Sequence, residues 1–260
     1  MAALKSRGLR VQPFKVGPDY LDPSWHRLAT GRVSYNLDTW MLSREYVQRL
    51  FQQKTRDADI AVIEGVMGLF DGASTTALQG STAEIASLLN APILLVADAT
   101  GAGRSFAAGI KGFSEFEPSC RIAGVIANYC GSSRHASMLQ EALAGAGLCD
   151  LAGWFSRDAF PELPSRHLGL KAPRLNAPGE AITNALGVAV QQQIDMDAIC
   201  KLAGRGSSST AAISSQELSS RASVGAGDVS PPVPASGAST KQAPSQLEEP
   251  GGSRPPAPKK

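Results

Sequence analysis

Short apolar runs alternate with amphipathic stretches along the first 200 residues, and this alternation limits the folds open to the chain. The runs predicted as strands cover residues 9–16, 60–63, 93–97, 122–127 and 148–155. Apolar runs of this kind, bounded by turn residues, are typical of buried parallel strands. Strands that alternate with helices predict an α/β fold with a mostly parallel, doubly wound sheet.

The helices predicted between these strands have recognisable starts. Ser43 can cap one helix, and Ser81 with Glu84 forms a capping box at the start of another. The predicted helices cover residues 43–53, 81–89, 104–112, 135–143 and 180–202, and Gly8 ends a further helix at the N-terminus. Residues 18–26 show no regular period, so we expect a functional irregular segment there.

Composition divides the chain at about residue 204. Beyond it the sequence is rich in Ser, Pro, Ala and Gly and nearly free of large apolar residues. Such a segment buries too little apolar surface to offset the entropy of ordering it. We therefore predict one folded domain over residues 1–203 and a disordered tail over residues 204–260.

Charge and cysteine content argue against several classes of protein. A net charge of +2 is too small to indicate nucleic-acid or membrane binding, and no apolar stretch reaches membrane-spanning length. The four cysteines (Cys120, Cys130, Cys149 and Cys200) show no Cys-x-x-Cys pair. Free thiols predict a reducing compartment such as the cytoplasm.

Polar residues end four of the predicted strands: Lys15, Glu64, Asp98 and Asn128. The carboxyl ends of parallel strands form the ligand-binding edge of an open α/β sheet. A lysine, carboxylates and an amide on one edge suit a nucleoside triphosphate. However, the phosphate-cradling pattern Gly-x-x-x-x-Gly-Lys-Ser/Thr occurs nowhere in the chain, and residues 100–105 are predicted to be a simple turn.

The loop after Glu64 carries a second carboxylate, Asp71, among the glycines Gly65, Gly68 and Gly72. Two carboxylates facing one crevice can hold a divalent cation, and the glycines would let the backbone approach a ligand. The alternative is that Glu64 caps a strand and that Asp71 belongs to an ordinary turn. The residue pattern alone leaves both interpretations open.

Several long motifs together resemble those of the cobyrinic acid a,c-diamide synthase family. They are FKVGPDYLDP (residues 14–23), NLDTWM (36–41), IEGVMGLFDG (63–72), GSTAE (80–84) and RHLGL (166–170). The resemblance covers about residues 1–202 and implies a fold of the P-loop NTPase and dethiobiotin synthetase type. It also implies an ATP- and glutamine-dependent carbon–nitrogen ligase that uses ATP and Mg²⁺ to activate ring carboxylates of a corrinoid precursor. Ammonia from a glutaminase then forms the a- and c-amides.

The resemblance also implies roles for individual residues. The catalytic set is Lys15, Asp19, Asp22, Glu64 and Asp71, and the substrate-binding set is Asp19, Tyr20, Leu21 and Asp22. Lys15 and Asn128 would bind the nucleotide, with Asn128 at the adenine, and Glu64 would hold the magnesium ion. The residue pattern leaves a structural alternative open for other residues, with His26 and His167 as polar surface residues and Trp25 and Trp40 as core or rim aromatics.

The chain departs from the family pattern at both ends. The family's phosphate-binding loop and first strand would precede the N-terminal helix, and its glutaminase domain would follow residue 202. The resemblance therefore predicts an incomplete chain with impaired activity, and a homodimer is compatible with it. Alternatives are a related nucleotide-binding protein (a cobyric acid synthase, a dethiobiotin synthetase or a partition ATPase) and a non-catalytic binding module.

Overall fold

The computed structural model describes residues 1–160, 165–166, 169–170, 173 and 177–206. The main strands are β1 (Val11–Val16), β2 (Tyr35–Leu37), β3 (Ile60–Glu64), β4 (Ile93–Asp98), β5 (Ile122–Asn128) and β6 (Leu151–Trp154). The helices are α1 (Ala2–Ser6), α2 (Asp22–Thr30), α3 (Arg44–Thr55), α4 (Thr82–Leu88), α5 (Arg104–Phe116), α6 (Ser133–Gly145), α7 (Ala177–Gln193) and α8 (Met196–Gly206). Two short strands, β7 (Ser165–Arg166) and β8 (Gly169–Leu170), pair antiparallel.

The predicted α/β class with parallel strands is confirmed. The strands lie in two open three-stranded sheets, with the orders β2-β1-β3 and β4-β5-β6, and every neighbour within them is parallel. Lys15 pairs with Glu64 across β1 and β3, and Asp98 pairs with Asn128 across β4 and β5. Register therefore places the polar strand-end residues of each sheet side by side.

The centre of the first sheet is its most buried part. All six residues of β1 are buried, and β1 is the central strand of this sheet, between β2 and β3. The Phe14 ring is completely buried and lies 5.1 Å from the Phe51 ring of α3, in a tilted arrangement that aromatic pairs prefer. This packing fixes the backbone of β1 one residue before Lys15.

One apolar cluster receives residues from both sheets. It contains Val11 of β1, Ile126 of β5 and Ala152 of β6. Leu4 of α1 and Met196 of α8 belong to the same cluster. The N-terminal helix and the last described helix therefore cover residues of both sheets. Cys120 and Cys130 are buried, and all four cysteines are free, in agreement with the sequence analysis.

The segment that showed no period in the sequence contains a helix, α2. Pro23 lies in its first turn, where a proline costs no hydrogen bond, and Gly31 ends it in the left-handed conformation with φ of 77°. The expectation of an irregular segment over residues 18–26 was therefore wrong from Asp22 onward. The helix is only nine residues long, so its apolar period is too short to stand out.

The last predicted helix, over residues 180–202, is two helices. Ile194 leaves the helix to make an antiparallel bridge with Gly153, where a Cβ atom would lie 2.4 Å from the Ile194 side chain. Asp195 then accepts hydrogen bonds from the backbone N–H groups of Asp197 and Ala198, which starts α8. Sequence period alone could not show this break, because a contact with a distant strand causes it.

Some predictions fall outside the described residues. His167, Leu168 and most of the predicted tail, residues 207–260, are among them. In the part of the chain that the structure describes, no helix combines the length and apolar character needed to cross a membrane.

An ion pair at the start of the first sheet should make stability depend on pH. Arg10 precedes β1 and Asp59 precedes β3, and the guanidinium holds the carboxylate at 2.8 Å. The hydrogen bonds from Arg10 lower the pKa of Asp59 from 3.8 to about 2. Because this pKa is lowered in the folded state, the stabilisation is complete above pH 3.8 and is lost as the pH falls towards 2.

Asp59→Asn should therefore unfold at lower denaturant concentration than the parent chain at neutral pH, with the gap closing in acid. Urea titrations at several pH values between 2 and 7, analysed for the difference in unfolding free energy, measure this gap. A gap that stays constant over the whole range would show that Asp59 stabilises the fold by something other than its charge.

Candidate active site

The buried ammonium group of Lys15 is the centre of the candidate site. Its side chain is 5% exposed and lies 2.9 Å from Asp22 Oδ2 and 3.3 Å from Glu64 Oε1. It also donates a hydrogen bond of 2.9 Å to the carbonyl oxygen of Gly65. Three oxygens, two of them from carboxylates, therefore surround this ammonium group.

The charges at this centre stabilise one another. Burial by itself would lower the pKa of Lys15, but the hydrogen bond to Asp22 and the charge of Glu64 outweigh it and raise that pKa. Burial would likewise raise the pKa of Glu64, but the hydrogen bond with His26 and the charge of Lys15 lower it. The pair is therefore a cation and an anion at neutral pH, fixed at the carboxyl ends of β1 and β3.

A turn after β1 brings Asp22 to this centre. Asp19 Oδ1 accepts hydrogen bonds from the backbone N–H groups of Leu21 (2.7 Å) and Asp22 (3.3 Å). Burial would raise the pKa of Asp19, but these hydrogen bonds outweigh it and lower that pKa. The Asn36 side-chain amide donates to the backbone carbonyl oxygen of Asp19, which connects the turn to β2. Tyr20 projects into solvent, with 74% of its surface exposed.

His26 is part of the site, and its interpretation as a polar surface residue was wrong. Its side chain is 7% exposed, and its Nε2 contacts Glu64 Oε2. Residues four apart lie on the same face of a helix, so α2 presents His26 on the face that also carries Asp22. The histidine could have been found from this spacing if the helix had been predicted. Trp25 is buried beside it, as a core aromatic, whereas Trp40 is 67% exposed.

The glycines after β3 serve the protein's own packing. A Cβ atom at Gly68 would lie 2.2 Å from Asp71 Oδ2, and one at Gly65 would lie 2.8 Å from the Thr82 side chain. A Cβ at Gly72 would meet the backbone of residues 79–81. The space that we expected a ligand to use is therefore filled by neighbouring residues. Asp71 accepts a hydrogen bond from the Gly68 N–H, and it makes no ion pair with Lys15 in the described structure.

The two remaining strand-end residues lie in the second sheet. Asp98 and Asn128 pair at the ends of β4 and β5, and a hydrogen bond with Thr100 lowers the pKa of Asp98. The next residue, Tyr129, has φ of 56°, a conformation that bulky side chains rarely adopt and that is often found at functional sites. The Arg157 guanidinium lies over its ring at 5.0 Å.

The suitability of the site for Mg²⁺ rests on Glu64. No cluster of three or more His, Cys, Asp or Glu residues among the described residues is arranged to hold a metal ion. Mg²⁺ in phosphoryl-transfer sites is commonly held by only one or two carboxylates together with substrate phosphates and water. Glu64, whose side chain is 45% exposed, fits such a role as a single protein ligand.

Comparison with known proteins gives a consistent answer. The chain is 56% identical over 203 residues to a cobyrinate a,c-diamide synthase of Syntrophotalea carbinolica, covering 78% of this chain and 44% of the relative. It is 44% identical over 261 residues to a hydrogenobyrinate a,c-diamide synthase of Streptomyces coelicolor, covering 99% of this chain and 52% of the relative. A cobyrinate a,c-diamide synthase of Priestia megaterium is 41% identical over 203 residues, with shares of 78% and 44%.

This chain is homologous to the cobyrinate and hydrogenobyrinate a,c-diamide synthases. The family resemblance in the sequence motifs is thus confirmed, although no protein-family model matches the chain. The chain spans about half the length of the curated relatives it matches. The Lys15, Asp22 and Glu64 centre lies inside the stretch that resembles these synthases, and two of the motifs supply all three residues.

Proposed function

We propose that this chain takes part in the ATP-dependent amidation of the a- and c-carboxylates of a corrinoid precursor in cobalamin biosynthesis. The observation that carries the proposal is the buried Lys15 ammonium between Asp22 and Glu64, at the ligand-binding edge of a parallel sheet. The names of the relatives supply the substrate class and the product.

The chemistry requires activation of a carboxylate, because hydroxide is a poor leaving group. A carboxylate oxygen of the substrate attacks the γ-phosphorus of ATP, the bond from that phosphorus to the bridging oxygen breaks, and ADP leaves. Ammonia, supplied by glutamine hydrolysis in a glutaminase domain or subunit, then attacks the acyl phosphate carbon. Phosphate departs and the amide remains after loss of a proton.

Residues of this chain would act on charge during the first step. Lys15 can release a carboxylate partner and turn its ammonium towards the transferred phosphoryl group, where electrostatic stabilisation dominates catalysis. Glu64 would hold a magnesium ion, and that ion neutralises phosphate charge when bound. The Asp19 turn orients Asp22 towards Lys15 and leaves Tyr20 free to contact the macrocycle, with Leu21 between them.

A chimera offers a direct test. The 203-residue matching stretch of this chain replaces its counterpart in the Syntrophotalea carbinolica relative, so that the rest of that enzyme surrounds the candidate site. We expect the chimera to convert cobyrinic acid to its diamide with ATP, Mg²⁺ and glutamine, as measured by mass spectrometry. A folded chimera that forms no amide and releases no phosphate from ATP would rule out the proposed function and favour a binding module.

The chain by itself is expected to bind ATP poorly. The pattern Gly-x-x-x-x-Gly-Lys-Ser/Thr is missing from its sequence, and the Lys15 ammonium already contacts Asp22, Glu64 and the Gly65 carbonyl. Calorimetric titration should give a dissociation constant of about 1 mM or weaker. Micromolar affinity would contradict this and would require another phosphate site, for which residues 100–105, at the start of α5, are the first place to look.

A further inference from the structure

We propose that His26 is a positioning residue: together with Ser34 it holds the Glu64 carboxylate in one orientation, with a single oxygen facing the Lys15 ammonium. The proposal rests on the proposed function for its catalytic consequence. The geometric part of the proposal depends only on the contacts of His26 with Glu64 and Ser34. Both His26 and Ser34 lie outside the five sequence motifs.

Each oxygen of Glu64 has its own buried partner. Oε1 lies 3.3 Å from the Lys15 ammonium, and Oε2 contacts the His26 ring. The Glu64 side chain itself is 45% exposed, whereas its two partners are only 5% and 7% exposed. A glutamate at an open strand end would otherwise sample several staggered side-chain conformations. The contacts of its two oxygens with two buried side chains select one of these conformations.

The histidine is itself fixed from behind. Its Nδ1 lies 3.0 Å from the hydroxyl of Ser34, which stands in the connection between α2 and β2. A carboxylate can only accept, so Nε2 donates to Glu64. The hydroxyl of Ser34 can then donate to Nδ1, which favours the tautomer with the proton on Nε2. Ser34 thus contacts the ring nitrogen opposite the one that meets Glu64, which fixes the orientation of the ring.

Loss of His26 should bring the second oxygen of Glu64 onto Lys15. Glu64 Oε2 would be free to turn towards the ammonium of Lys15, which would then face two oxygens of Glu64 together with Asp22. Lys15 would be held more tightly by carboxylates, and an incoming phosphate would compete poorly for it. A histidine that only filled space in the core would have no such effect on the orientation of Glu64.

Two substitutions separate these possibilities. His26→Gln places an amide N–H near the position of Nε2 and can still donate to Glu64, whereas the shorter His26→Asn cannot reach it. Crystal structures of the parent chain and both variants would show the orientation of Glu64. We expect the parent orientation in His26→Gln and a carboxylate turned onto Lys15 in His26→Asn. An unchanged Glu64 in a folded His26→Asn overturns the proposal, whether or not the chain is an enzyme.

Kinetics in the chimera provide the second readout. His26→Asn should lower kcat roughly tenfold or more, in the range typical for loss of a residue that orients a site ligand, with His26→Gln losing no more than about threefold. The matched control is His135→Gln, since His135 bonds to the Ala102 carbonyl and the Gly131 N–H, away from Glu64. Equal losses for Gln and Asn would overturn the proposal. A parent chimera without any activity would count against the proposed function, and the crystal structures would still decide the role of His26.

Discussion

Replacing Glu64 with glutamine should lower the amidation rate of the chimera by about 10²–10³-fold while the fold survives. The substitution keeps the shape and removes a charge that faces Lys15 at 3.3 Å and would hold a magnesium ion. Phosphoryl transfer depends on charge stabilisation more than on covalent chemistry by the protein, so loss of this charge should reduce kcat. Because 45% of the side chain is exposed, the change should cost little stability.

Steady-state rates of Glu64→Gln at saturating ATP and corrinoid, together with its melting temperature, test this expectation. Asp71→Asn is the matched control: its carboxylate bonds to the nearby Gly68 N–H and does not contact Lys15. If Glu64→Gln amidates as fast as the parent chimera, Glu64 is a strand-capping residue and the proposed magnesium role is wrong. If Asp71→Asn loses as much activity as Glu64→Gln, the site extends further along the loop than the contacts of Lys15 indicate.

Lys15→Met should reduce both activity and stability. The methionine fills a similar volume but removes the ammonium group that contacts both Asp22 and Glu64. We expect kcat to fall by about 10²–10³-fold, comparable with the loss of a transition-state donor in other enzymes. The unfolding free energy should fall by about 1–3 kcal/mol, the cost of leaving partly buried acceptors without a partner. The loss stays moderate because the two carboxylates are 25% and 45% exposed and can reach water.

A double-mutant cycle checks that Lys15 and Glu64 act together. Residues in direct contact are not additive, so the Lys15→Met, Glu64→Gln variant should lose clearly less than the sum of the two single losses in stability. Denaturant unfolding of the four proteins measures the coupling. Additive losses would mean that the contact between Lys15 and Glu64 contributes nothing to the folded state.

Local sequence patterns were sufficient for much of the fold. The strands β1, β3, β4 and β5 and the helices α3 to α6 lie close to their predicted positions, because apolar period and capping residues act over a few neighbouring residues. Ser43 and Ser81 cap their helices as predicted. The three-residue strand β2 was missed because it is too short to show a period, and it exists only through its pairing with β1.

The candidate site was predictable as residue types at strand ends, but not as a set of contacts. Sequence order placed Lys15 and Glu64 at the same edge, and the register of β1 and β3 bears this out. It could not separate Asp22, which contacts Lys15, from Asp71, which bonds within its own loop. Both are acidic residues in conspicuous loops, and only the path of the backbone distinguishes them.

The sequence by itself determined the α/β class, the strand-end lysine and carboxylates, and the motifs shared with the a,c-diamide synthases. Only the tertiary structure decided that His26 is buried against Glu64, that Gly65 and Gly68 pack against Thr82 and Asp71, and that the last helix breaks at Ile194. The physical reason is the range of the interactions. Strand and helix patterns reflect neighbours along the chain, whereas these features depend on groups that folding brings together from separate elements.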